Sequence, residues 1–117
     1  MYVHQYIENM ALIKLLTTPR PAQEGYFRSN SVKLEHSHAR ITIEFSGEDP
    51  ATDGMFELHH SIDNDKFNLV TGSTRLIDTN KSSMQLDYNG PEGGYIAVAF
   101  IQGSTRDLMI NEINALV

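Results

Sequence analysis

The 117-residue chain contains no cysteine and no tryptophan. Without thiols there is no disulfide framework and no thiolate zinc site, so stability has to come from a packed core. A chain of this size forms one domain and buries roughly two thirds of the surface it exposes when unfolded, which is enough for such a core. Basic residues are also few, with 9 Lys and Arg against 15 Asp and Glu and a formal charge of −6. The deficit is even along the chain: 8 acids against 5 bases up to residue 58, and 7 against 4 after it. No basic arm is available to hold phosphates, and nucleic acid is not an expected partner. Long apolar runs are missing as well. The longest, Tyr95–Ile101, falls far short of the roughly 20 residues needed to cross a bilayer, so membrane insertion is not expected. Residues 2–16 lean apolar but are interrupted by Gln5, Glu8, Asn9 and Lys14 and follow no basic segment, so they do not read as a signal peptide.

What is present is mostly alternation. Val32 and Leu34, then Ile41, Ile43 and Phe45, then Phe56, Leu58 and His60, then Met84, Leu86 and Tyr88 repeat with the period of two expected of half-buried strands. The parity flips between Leu34 and Ile41, which requires a turn or bulge near Glu35–Ala39. Turn clusters at 46–54, 63–65, 89–94 and 103–105 separate the runs. Tyr95–Ile101 is apolar on both faces, as in a central strand covered from two sides. Residues 108–117 fit a helix or a returning strand, with the neighbouring pattern favouring strand. Seven or eight short strands at intervals of about ten residues argue for an all-β, antiparallel, jelly-roll-like sandwich over residues 31–117. Residues 1–30 read as an N-terminal arm and connector. Its apolar positions Val3, Tyr6, Ile7, Leu12, Ile13, Leu15 and Leu16 exceed what an unanchored terminus needs and are expected to bind a partner.

Candidate chemistry is sparse. His36 and His38 have a spacing that can hold a metal on one strand face. The cupin pattern, however, wants a Gly six residues before the first His and a Glu four or five after the second, where this chain has Asn30, Thr42 and Ile43. His59 and His60 are adjacent, so on a strand they point to opposite faces. Asp63-Asn64-Asp65 begins like a calcium loop but has Asn68 where a glycine is required, and reads better as a turn bonded to its own backbone. There is no nucleophile motif, phosphate loop or identifiable carboxylate pair, so no catalytic residue, cofactor or metal is expected and the chain does not read as an enzyme.

Gly54-Met-Phe-Glu-Leu-His-His-Ser-Ile-Asp-Asn-Asp-Lys-Phe67, followed by Met84–Tyr88 and Gly94–Phe100, resembles the G-x-φ-x-φ-x-x-S-x-D-x-x-x-F pattern (φ apolar) of small β-sandwich structural proteins of bacteriophage virions. Carbohydrate-binding and discoidin-like sandwiches share it, and Phe67 stands where a Trp is usual. In this pattern Ser61 and Asp63 would close a hairpin turn and Phe67 would enter the core opposite Phe56. The resemblance implies a non-enzymatic virion building block, located in the virion and working by packing against other virion proteins as a homo-oligomer. The alternative is a carbohydrate-binding β-sandwich module.

Overall fold

The computed structural model describes residues 10–22, 25–47, 54–78, 80–101 and 108–117. Among the described residues eleven strands are formed: β1 (Leu12–Leu16), β2 (Arg20–Pro21), β3 (Phe27–Arg28), β4 (Val32–Lys33), β5 (His38–Gly47), β6 (Met55–Ser61), β7 (Asn68–Leu69), β8 (Arg75–Leu76), β9 (Ser83–Asn89), β10 (Tyr95–Ile101) and β11 (Leu108–Leu116). One antiparallel sheet runs β1-β11-β5-β9, with β2 also on β11. The other runs β3-β10-β6-β7, with β4 on β10 and β8 on β6. If β1/β2, β3/β4 and β7/β8 are each counted as one broken strand, the eight positions follow the order 1-8-3-6 and 2-7-4-5. That is the jelly-roll order, in which first and last strands pair across the closed end of the chain.

The inner faces meet as expected from the alternation. Ile41, Ile43 and Phe45 of β5 face Phe56 and Leu58 of β6 and Ile96, Val98 and Phe100 of β10 in one continuous core. Phe100 packs against Phe27 and Phe56 with ring centroids 5.7 and 5.5 Å apart. Ala97 and Ala99 on the other face of β10 are buried too, which accounts for its unbroken apolar run. The tail is a strand interrupted by a bulge. Its register on β5 shifts between Ile110 and Glu112, so Leu108 and Ile110 point inward before the bulge and Ile113 and Ala115 after it.

The expected arm has to be corrected. β1 is the first strand of the jelly roll and pairs with β11, and β2 and β3 belong to the two sheets. The described part of residues 1–30 is therefore built into the sandwich. A bulge between Lys14 and Leu16 lets both Leu15 and Leu16 reach the core. These two are occupied within their own chain and are not a partner surface, whereas Leu12 (70% exposed) and Ile13 remain on the outside. Val3, Tyr6 and Ile7 lie outside the described residues.

Candidate functional site

The β6–β7 turn is built as its sequence suggests. Ser61, at the buried end of β6, donates its hydroxyl to Asp63 Oδ1 (2.9 Å) and accepts the Asp65 N–H (3.2 Å). Asp63 Oδ1 also accepts the N–H groups of Asp65 (3.0 Å) and Lys66 (3.1 Å). These donors favour the charged carboxylate, the Lys66 N–H most of all and then the Ser61 hydroxyl, and hold Asp63 below its ordinary pKa of 3.8. Asn64 takes the left-handed conformation (φ 61°) that such a turn needs. The result lifts Ile62 into solvent at 86% exposure and returns the chain as β7, with Leu69 half exposed at 50%. Val70 N–H to Leu58 O (2.9 Å) and Leu58 N–H to Ser73 Oγ (2.9 Å) tie the following loop to β6.

Phe67 does not enter the core. It is half buried, and the Arg28 guanidinium lies 4.1 Å from its ring centroid. Arg28 pairs with Ala99, whose side chain belongs to the outer face of the second sheet, so Phe67 is held against that face and not opposite Phe56. The turn spans enough residues to carry the ring over the sheet edge. The Ser61 and Asp63 half of the expectation holds, and the Phe67 half does not.

Facing this turn are His60 and Tyr88. Their rings are parallel within 5°, with centroids 6.0 Å apart. His60 Nε2 lies 3.0 Å from Gly93 O, and because a carbonyl only accepts, Nε2 carries the hydrogen in that contact. The Tyr88 hydroxyl donates to Pro91 O (2.7 Å), and burial pushes its pKa up. Gly94 fits this packing only as glycine: at φ +75° a Cβ would sit 2.5 Å from Ser61 O and 2.8 Å from His60 Nε2. The 89–94 cluster is thus both a strand breaker and the backing of the histidine ring.

Together these elements form a cleft of about 330 Å³ lined by His60, Ile62, Asn68, Leu69, Tyr88 and Pro91, with Asn89 at its rim. Asn89 Oδ1 is engaged by His38 Nδ1 at 2.7 Å, which orients its amide. The lining combines apolar side chains with two amides, one imidazole and the Tyr88 phenol, and has no carboxylate, lysine or arginine. A neighbouring groove of about 400 Å³, bounded by Thr71, Arg75, Gln85 and Asp87, runs beside β9.

The other sequence candidates do not converge. His36 sits in the bend before β5 and His38 is engaged by Asn89, so the pair forms no ligand set. Among the described residues, no group of three or more His, Cys, Asp or Glu is placed to hold a metal. His59 points away from His60 and meets Glu57 on the outer face (Nε2 to Oε2, 2.7 Å). Glu44 and Glu112 face each other across β5 and β11 and share a hydrogen bond, which raises the Glu44 pKa; that bond lowers Glu112, helped by Lys14 at 3.5 Å. Hydrogen-bonded carboxyls are closer than the roughly 5 Å or more that glycosidic catalysis places between its two acids. His60, Tyr88, Asn68 and Asn89 escaped the sequence reading as a site. The available signal was the in-register placement of His60 and Tyr88 with core residues, next to Gly93-Gly94.

No protein-family model matches the chain, and no curated protein sequence is similar to it. Solved structures do share the fold. A family 32 carbohydrate-binding module from Clostridium perfringens, solved with GalNAc-β-1,3-galactose, superposes with a TM-score of 0.52 at 15% identity, covering 95% of this chain and 97% of that one. The C-terminal family 6 carbohydrate-binding module of the laminarinase LamC from Zobellia galactanivorans gives 0.52 at 11% identity, over 93% and 100%. The SPBc2 prophage-derived protein YomS gives 0.51 at 10% identity, over 92% of each chain. At these identities the likeness establishes an all-β sandwich of this kind. The expected role as a virion building block is overturned: its structural neighbours are mostly carbohydrate-binding modules. Leu15 and Leu16, part of the apolar surplus that suggested a packing partner, are internal strand residues.

Proposed function

We propose that the protein is a non-catalytic carbohydrate-binding module and that the His60–Leu69–Asn89 cleft holds a neutral sugar. The observation that carries this reading is the pairing, in one cleft, of apolar side chains with amides and no carboxylate, lysine or arginine. A pyranose has apolar C–H faces and a rim of hydroxyls. Ile62, Val70 and Pro91 suit the faces, while Asn68, Asn89 and His60 offer donors and acceptors for the rim. In a chain of charge −6, an uncharged lining selects against acidic sugars, which the surrounding field repels. The turn bonds of Ser61 and Asp63 and the stacked His60–Tyr88 pair fix the walls beforehand, so little ordering is needed on binding. The fold likeness to carbohydrate-binding modules supports the same reading. A place in a virion has only the likeness to YomS behind it and is not part of the proposed role.

A glycan array followed by calorimetry tests this. Saturable binding to a neutral glycan is expected, weakened about tenfold or more by Asn68→Ala and by Ile62→Asp, each removing one kind of contact. Absence of binding across neutral and acidic glycans, or binding indifferent to both substitutions, would overturn it.

A further inference from the structure

The two sheets have four lateral edges, and three of them are blunted. β1 carries a bulge between Lys14 and Leu16 and is followed by Pro19 and Pro21. β3 and β4 are separate two-residue strands, and so are β7 and β8, which flank Gly72 at φ +83°. Short strands, bulges and prolines are the usual devices that stop an edge from pairing with another chain. β9 has no bulge and no proline of its own; Pro91 follows its end, and its one charge, Asp87, is taken up by Arg40 of β5 at 3.3 Å. It is seven residues long, without proline or lysine, and pairs with β5 in an unbroken register.

The hydrogen-bonding phase of that ladder says which groups are left over. Gly90 N–H bonds Ser37 O (3.0 Å) and Phe45 N–H bonds Ser82 O (2.9 Å), at the two ends of the same register. Bonded and non-bonded pairs alternate in an antiparallel ladder, so the even-numbered residues of β9 face β5. Ser83, Gln85, Asp87 and Asn89 therefore turn their N–H and C=O groups to the open edge, beside the groove bounded by Thr71 and Arg75.

We propose that this edge pairs with β9 of a second copy, antiparallel about a two-fold axis at Leu86, joining two four-stranded sheets into one. The strand is self-complementary in that register. It opposes Ser83 to Asn89 and Gln85 to Asp87 along its whole length, with Met84, Leu86 and Tyr88 of both copies on the core side. The register centred on Asp87 places like charges opposite each other, and the one centred on Gln85 leaves Tyr88 and Asn89 unpaired. Every bonded pair joins odd-numbered residues, so each exchanges the backbone bonds now unused. The interface is independent of the carbohydrate reading.

Sedimentation velocity on the full chain should show a dimer at micromolar concentration. Gln85→Pro removes an open-edge N–H without touching a bond to β5 and should weaken dimerisation about tenfold or more with the circular dichroism unchanged. Gln85→Lys does the same by placing a charge on the edge, and decides the matter if the proline variant does not fold. The chain has no cysteine of its own, so the register can be read directly. A mixture of Gln85→Cys and Asp87→Cys chains should oxidise to a cross-linked dimer faster than either variant alone. A monomer at these concentrations, a dimer that survives both Gln85 substitutions, or equal cross-linking of mixed and separate variants would overturn the proposal.

Discussion

The interior strands β5 and β11 of one sheet and β10 of the other, and the loop-built end around Ser61–Gly94, are specified in different ways. In the interior strands, residues act as a class: Ile41, Ile43, Val98 and Phe100 are needed as apolar volume on one parity, and neighbours share the task. At the cleft end each position has its own reason, such as a left-handed φ at Gly94, a hydroxyl at Ser61 or a carboxylate at Asp63. The first kind of specification sets how firmly the chain folds. The second sets the shape that a ligand meets, so damage to the two regions should separate stability from binding.

The largest effect is expected in the interior. Phe56 is fully buried against Phe100, and Phe56→Ala should cost about 3–5 kcal/mol in urea unfolding, with the folded fraction still binding normally. Gly94→Ala comes next. Its positive φ and the 2.5 Å approach of the new Cβ to Ser61 O should cost about 1–3 kcal/mol, and displacement of His60 should reduce glycan affinity in the folded protein as well. If Gly94→Ala lost stability alone, the cleft would not depend on its backing as described.

Phe67 sharpens the contrast because the two placements differ in magnitude. A core Phe67 would cost about 3–5 kcal/mol on truncation. On the outer face, half buried under Arg28, Phe67→Ala should cost only about 1–2 kcal/mol. A double-mutant cycle with Arg28→Ala should return a coupling of about 0.5–1 kcal/mol; zero coupling would remove the stacked pair.

The interior was largely legible because alternation reports burial directly: Ile41 to Phe45, Phe56 with Leu58, Leu86 with Tyr88 and the two-sided Tyr95–Ile101 all fall where the period puts them. It failed at Leu15 with Leu16, where a bulge breaks the period of two and imitates an arm. In the tail the bulge between Ile110 and Glu112 left helix and strand both open, and the favoured strand is the one that forms. The Ser61–Asp63 turn was legible because its bonds are local in sequence. Phe67 was not, since nothing nearby says which side of the sheet a ring will cover, and its partner Arg28 is remote in the chain. The cleft was hidden for the same reason: His60, Asn68 and Asn89 meet only through the jelly-roll order.

The smallest effect should come from acid, and it should fall on one region only. The folded-state pKa of Asp63 lies below its ordinary 3.8, mainly because the Lys66 N–H and then the Ser61 hydroxyl bond the charged form. A depressed carboxylate contributes stability that is complete above its unfolded pKa and is lost as pH falls from there through the folded value. Asp63→Asn keeps an acceptor oxygen but not the charge, so it should be slightly less stable than the natural chain at neutral pH. The gap should close as the buffer is taken from about pH 5 downward through the range in which Asp63 protonates. Phe56→Ala has no ionisable group at stake, and its deficit relative to the natural chain should stay constant over the same range. Urea unfolding of the three proteins at a series of pH values reads both trends. A gap for Asp63→Asn that does not change with pH would mean that the charge contributes nothing to the turn, and that the cleft wall is held by Ser61 and the backbone alone.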